Sequence, residues 1–272
     1  MMNLVKINDN ITIGRPRYPL ALIAGPCVLE SRELAFTVAG AVAEICRKLS
    51  VPYIFKGSFD KANRSSINAF RGPGLEGGLE ILAAVKAEFN LPVTTDVHTI
   101  EQVEAAAAVV DIIQIPAFLC RQTDLLLAAG ESGRVVNVKK GQFMAPRDMR
   151  HVVSKVAATG NRKIILTERG TTFGYNNLVV DFRSLPLMRA CGTPVIFDAT
   201  HSVQLPAAQG DSSGGDRAMI PTLAAAAVGA GADALFMEVH PDPDNALCDG
   251  ANSLPLTELE SLLRRLVALS EV

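Results

Sequence analysis

The chain has 272 residues, a net charge of −2 and few aromatic residues, so it can bury a sizeable core and carries no global basic field of the kind that draws nucleic acid. Its five cysteines form no CxxC pair, which argues against a disulfide framework and for a reducing compartment. No secretory apolar region follows the first lysine, and the longest apolar stretch, Leu223 to Ala232, is too short to span a bilayer, so a cytoplasmic protein without a membrane partner is expected.

Residues 4–13 alternate Leu4, Ile7, Ile11 and Ile13 around Asn8-Asp9-Asn10, which predicts a short N-terminal β-hairpin. Beyond Pro16 and Pro19, short apolar runs recur at 20–24, 53–57, 92–97, 111–117, 135–139, 163–168, 194–198 and 234–239. Helical segments are predicted between and after them at 31–49, 75–89, 100–109, 121–132, 146–159, 178–191, 216–230 and 256–269. In the last, Leu256, Leu259, Leu262, Leu263 and Leu266 form one apolar stripe, with Glu258, Glu260, Arg264 and Arg265 mostly off it.

Eight strand-then-helix units with near-continuous apolar strands imply a parallel sheet covered by helices, and that number closes a (β/α)₈ TIM barrel. An open doubly wound sheet is the alternative, but no GxGxxG follows the first strand. With no linker-like shift in composition, residues 1–272 read as a single domain, residues 1–19 being a hairpin extension.

In such a barrel the site is built from the carboxyl ends of the strands and the loops after them. Lys56, Lys61, Arg64, Lys139, Arg169 and Arg121 are expected to converge there, which suits phosphorylated substrates. The competing reading makes several of them ordinary ion-pair partners of Asp60, Asp96 or Glu168, Lys140 above all. A second set, Cys27, His201, Glu238 and Asp249, meets only if the sheet closes, and then offers one thiol, one imidazole and two carboxylates to Zn²⁺, Fe²⁺ or Mn²⁺. Taken alone, Cys27 reads first as core filler and His201 as a strand cap, with Cys248 a rival thiol. Loop 204–216, rich in Gly, Ser and Ala, is either a lid over the mouth or a plain connection.

The segments IAGPC (23–27), FKGSFDKANRSS (55–66), TTDVH (94–98), QIPAFLCRQTDL (114–125), NVKKGQF (137–143), FDATH (197–201) and EVHPDPDNALCDG (238–250) carry a specific resemblance. In order and over most of the chain, they resemble the 3-deoxy-D-manno-octulosonate 8-phosphate synthases. The resemblance implies a cytoplasmic homotetrameric transferase that condenses phosphoenolpyruvate with D-arabinose 5-phosphate and water, for lipopolysaccharide biosynthesis. It assigns Lys61, Lys139 and Arg169 to the carboxylate and phosphate of phosphoenolpyruvate, with Lys56, Ser58, Gln114, the Ala117 backbone and Gln142 around them. It gives Asn63 a sugar hydroxyl and Arg64 and Ser65 the sugar phosphate, and adds Asp60 and Asp96 to the substrate-binding set. Lys61, Lys139, Arg169, His201 and Asp249 are its catalytic positions, and Cys27, His201, Glu238 and Asp249 its divalent-metal ligands.

Metal-independent members have Asn in place of Cys27, so Cys27 implies a metal-dependent form, although Cys248-Asp249-Gly250 is closer to the metal-independent pattern. The related heptulosonate synthases, which use erythrose 4-phosphate, carry Lys-Pro-Arg-Thr-Ser where this chain has Lys61-Ala62-Asn63-Arg64-Ser65. That activity, or a non-catalytic sugar-phosphate-binding barrel, is the alternative.

Overall fold

The computed structural model describes residues 4–64, 66–206 and 214–271; Ser65 and residues 207–213, most of the expected lid, lie outside the described residues. Eight parallel strands form the sheet: β1 (Ala21–Gly25), β2 (Tyr53–Lys56), β3 (Val93–Asp96), β4 (Ile112–Ile115), β5 (Val135–Lys139), β6 (Ile164–Glu168), β7 (Val195–Asp198) and β8 (Ala234–His240). Each pairs with the next, β8 pairs with β1 from Ala234↔Ala21 to Glu238↔Gly25, and the sheet therefore closes. Helices α1 (Arg32–Lys48), α2 (Gly74–Phe89), α3 (Ile100–Val109), α4 (Thr123–Glu131), α5 (Met149–Ala158), α6 (Ser184–Arg189), α7 (Ile220–Gly229) and α8 (Leu256–Ser270) follow their strands in turn. The (β/α)₈ barrel is the observed fold, and its strands lie within a residue or two of the apolar runs because strands buried on both faces read as continuous apolar sequence.

Inside the barrel the two-residue period of a strand sorts side chains by height. The lower layer is aliphatic, built from Ala21, Ile23, Ile54, Ile112, Val135, Ile165, Ile196 and Ala234 below Phe236. The hairpin Val5–Lys6/Thr12–Ile13 inserts Val5, Ile11 and Ile13 into the same cluster and so plugs the amino-terminal end. Two residues further along the same strands, the interior turns polar: Lys56 follows Ile54, Gln114 follows Ile112, Asn137 follows Val135, Thr167 follows Ile165, Asp198 follows Ile196 and Glu238 follows Phe236. Outward-facing side chains pack under the helices in the larger core, where Leu259, Leu262, Leu263 and Leu266 supply the buried stripe of α8.

Strands β1 and β2 approach very closely at Gly25, where a Cβ would stand 1.8 Å from the Lys56 carbonyl oxygen. Only glycine fits there.

The largest departure from the sequence reading is segment 178–191. Leu178–Val179 forms a short strand antiparallel to Thr171–Thr172, and only Ser184–Arg189 is helical. The polar stretch Asp181-Phe182-Arg183 separates the two, with the Asp181 carboxylate accepting the Arg183 backbone N–H at 3.0 Å. Helices α5 and α7 also start later than predicted, each preceded by a 3₁₀ turn, Pro146–Asp148 and Arg217–Met219. At the expected lid, Gln204–Leu205 pairs antiparallel with Gly214–Gly215. Among the described residues no helix is long and apolar enough to cross a membrane.

Candidate active site

The polar ends of the strands open into a cavity of about 500 Å³. Its charged lining is almost entirely removed from solvent. Lys56, 1% exposed, donates to the Cys27 carbonyl at 2.6 Å and to Glu238 Oε1 at 2.8 Å. Lys61 Nζ approaches the same carboxylate oxygen at 3.7 Å, and His201 Nε2 at 3.6 Å. Lys139 donates to Asp198 Oδ2 at 2.6 Å and stands 3.7 Å from the centroid of the Phe236 ring, which tops the aliphatic layer. Cations thus occupy the positions where apolar strand residues give way to polar ones.

His201 sits on a 3₁₀ turn directly after β7, where its backbone N–H donates to Asp198 Oδ1 at 2.9 Å and its Nδ1 lies 2.7 Å from Asp198 Oδ2. Asp198 therefore fixes both the start of the turn and the imidazole ring, leaving Nε2 to face the cavity. On the opposite side Asp96 accepts Ser58 Oγ at 2.5 Å and lies 3.1 Å from His98 Nε2. Arg169 donates to Gln204 Oε1 at 3.1 Å, while its Nη1 is buried without a hydrogen-bond partner among the described residues.

The charge balance follows from this crowding. Burial alone would raise the carboxyl of Glu238, but His201, Lys56 and Lys61 hold it well below the usual carboxylate range. His201 and Lys139 do the same for Asp198, and His98 and Lys61 for Asp96, again against burial. Burial draws the Lys139 ammonium downward.

Depressed carboxyls have a defined sign: the unfolded chain binds protons first, so their contribution is complete above about pH 4.5 and lost as pH falls through the folded values. Thermal unfolding is therefore expected to show Tm falling steeply below about pH 4, with Asp198→Asn flattening that slope. An unchanged slope in the variant would assign the acid sensitivity elsewhere.

Near the junction of β8 and β1 the potential ligands gather. Cys27, Cys248 and Asp249 present ligand atoms all within 4.8 Å of one another, and His201, Glu238 and Asp249 form a second such group sharing Asp249. All four sequence-predicted metal positions are thus brought together. The donor set of sulfur, imidazole and carboxylate suits a borderline-soft divalent ion, and Glu238 Oε2 is buried beside it with no hydrogen-bond partner among the described residues. Those residues fit a metal. In the protein itself, burial and the neighbouring Cys248 push the Cys27 thiol well above its ordinary range, so an ion binding there displaces a proton. Asp249 holds a left-handed backbone, φ 49°, a conformation aspartate tolerates and one found at functional sites.

Asn63, Arg64, Asp96, Gln114, Ala117 and Gln142 also line the cavity. Several sequence-predicted positions do not. Ser58 is buried beneath Asp96, and Asp60 turns away to Arg71, Oδ1 accepting its Nε at 2.8 Å. Arg121 is exposed, and Lys140 is a buried ion-pair partner of Glu168 at 3.4 Å, as the competing reading of the cations expects. Ser65 is outside the described residues. The sequence reading noted His98 and Asp198 at their strand ends but gave neither a role, although both are fixed in the site, and it held Cys248 only as a rival. The Asp-x-x-His spacing of FDATH was the available signal for Asp198, since a turn after a strand brings residues three apart together.

Comparison with known proteins covers the whole of this architecture. The model of the DAHP synthetase I family matches residues 3–272. A protein of Trichlorobacter lovleyi is 64% identical over 253 residues, 93% of this chain and 93% of its own length. Others from Syntrophotalea carbinolica, 58% identical over 272 residues (100% of this chain, 98% of its own), and Geobacter sulfurreducens, 58% over 263 (97% and 96%), are similar. All three are named 2-dehydro-3-deoxyphosphooctonate aldolase. Since these matches take in every barrel strand and both ligand-bearing loops, the chain belongs to the DAHP synthetase I family.

Proposed function

We propose that the chain condenses phosphoenolpyruvate with D-arabinose 5-phosphate and water, giving 3-deoxy-D-manno-octulosonate 8-phosphate and inorganic phosphate, a reaction of lipopolysaccharide biosynthesis. The observation that carries the reading is the convergence of Lys56, Lys61, Arg64, Lys139 and Arg169 on one cavity in a protein of net charge −2, in a chain whose relatives bear the octonate name. Two phosphorylated substrates need that many cations, and the cavity is large enough for both.

Phosphoenolpyruvate takes the deeper position. Lys139, Lys61 and Arg169 neutralise its carboxylate and phosphate, Arg169 through the Nη1 that has no hydrogen-bond partner among the described residues. The sugar phosphate takes the outer position, on Asn63 and Arg64. The C2–C3 π electrons of phosphoenolpyruvate form a bond to the sugar aldehyde carbon, whose oxygen takes up a proton. Water adds at C2, losing a proton, and the C2 hydroxyl then becomes the ketone, losing its proton as the C2–O bond to phosphate breaks. Lys139 and Arg169 are placed before charge develops, so they stabilise it with little reorganisation. A divalent ion on Cys27, His201, Glu238 and Asp249 would supply Lewis-acid polarisation of the sugar aldehyde.

Exposed Phe118, Phe143, Phe173 and Tyr175 beyond the strand ends support assembly into the homotetramer of the sequence reading.

Phosphate release is the test. Turnover is expected with arabinose 5-phosphate and not with erythrose 4-phosphate, falling on the order of a hundredfold after chelation and returning with Zn²⁺, Fe²⁺ or Mn²⁺. Cys27→Asn is expected to weaken metal binding and partly relieve the requirement. Release with erythrose 4-phosphate alone would overturn the substrate assignment; full activity of the stripped protein would overturn the metal.

A further inference from the structure

Cys248 is the one residue at the ligand cluster that the proposed reaction leaves without a task. It is 3% exposed and forms, with Cys27 and Val28, a small buried cluster separate from both barrel cores. It is therefore not filler of the packed interior. Its Sγ lies 3.1 Å from Cys27 Sγ, accepts a hydrogen bond from Arg64 Nη1 at 2.7 Å, and belongs with Cys27 and Asp249 to a group whose ligand atoms all lie within 4.8 Å.

The loop that carries it is held in place from several sides. The Leu247 N–H donates to Glu30 Oε1 at 2.9 Å, and the backbone at Gly250 approaches Pro243 so closely that a Cβ there would stand 2.1 Å from its carbonyl oxygen. A side chain fixed this firmly beside the Cys27 thiol and the Asp249 carboxylate, which also belongs to the His201–Glu238 group, is positioned to bind what they bind.

Resting on the metal reading above, we propose that Cys248 is a second sulfur ligand, so that the ion sees two thiolates and not one. The two sulfurs are closer than the roughly 3.8 Å that separates thiolates on one tetrahedral ion with bonds of about 2.3 Å, so binding needs them to part by less than an ångström. Arg64 is the partner that yields: released from Cys248, its guanidinium, 3.8 Å from Asp249 Oδ1, turns to the sugar phosphate. Two soft donors shift the preference of the site away from Mn²⁺ and toward Zn²⁺ and Co²⁺, relative to a single-thiolate site.

The test counts sulfurs and does not depend on turnover. Co²⁺ is added to the metal-stripped full-length protein, and the thiolate-to-cobalt charge-transfer band in the near ultraviolet is recorded for wild type, Cys248→Ser and Cys27→Ser. Each single variant is expected to keep about half the wild-type intensity. X-ray absorption of the Zn²⁺-loaded wild type, which needs no variant to fold, is expected to give two sulfur neighbours at about 2.3 Å. Equal bands in wild type and Cys248→Ser, or one sulfur per zinc, would overturn the role of Cys248 and leave the metal reading standing. No band and no bound zinc in wild type would overturn the metal reading and this inference with it.

Discussion

Lys139→Met is expected to lower kcat/KM for phosphate release by about a thousandfold while leaving a folded protein, because preorganised charge at a reacting centre is typically worth 10² to 10³ per donor. The ammonium is buried, held at 2.6 Å from Asp198 and 3.7 Å from the centroid of the Phe236 ring, and faces the cavity. Methionine fills its volume above the ring but offers no charge to phosphoenolpyruvate. Asp198 keeps His201, so stability falls by only about 1 to 3 kcal/mol, the cost of a lost buried partner. Steady-state kinetics with circular dichroism separates the two effects. A loss of less than tenfold with the fold intact would remove Lys139 from the catalytic centre.

Gly25→Ala is expected to damage the protein through packing alone. The added methyl would stand 1.8 Å from the Lys56 carbonyl oxygen, which is backbone in a parallel pair and cannot swing aside as a side chain does. Relief requires β1 and β2 to separate, breaking the register that presents Lys56 to Glu238. Destabilisation of about 3 kcal/mol or more follows, hence a Tm lowered by roughly 6 °C or more, or failure to accumulate as soluble protein. Thermal unfolding of the variant decides it; a Tm within a degree of wild type would mean that the strands can part freely there.

The barrel was legible in the sequence because parallel strands buried on both faces leave a periodic apolar signal that closure does not erase. Segment 178–191 was not, since its Leu178 and Val179 suit a helix face or a strand equally, and pairing with Thr171–Thr172 decides between them. At the site, cations at the strand ends were visible one by one, but their partners were not. Asp60 pairs with Arg71 within one loop, but that Glu238 takes Lys56 could not be read locally, because it depends on which strands become neighbours. The meeting of Cys27 with Cys248 is of the same kind: 221 residues separate them, and only the closing pair β8–β1 sets them side by side.

The hairpin that fills the amino-terminal end has a consequence for traffic. With Val5, Ile11 and Ile13 packed into the aliphatic layer, the described residues close the amino-terminal end and leave the cavity open at the strand ends. Two ligands stacked in such a cavity cannot pass each other. On the positions proposed above, the ligand on Lys139 and Arg169 would arrive before the one on Arg64 and depart after it. The proposed reaction then carries an order of binding and release that traces back to two short strands at the far end of the barrel.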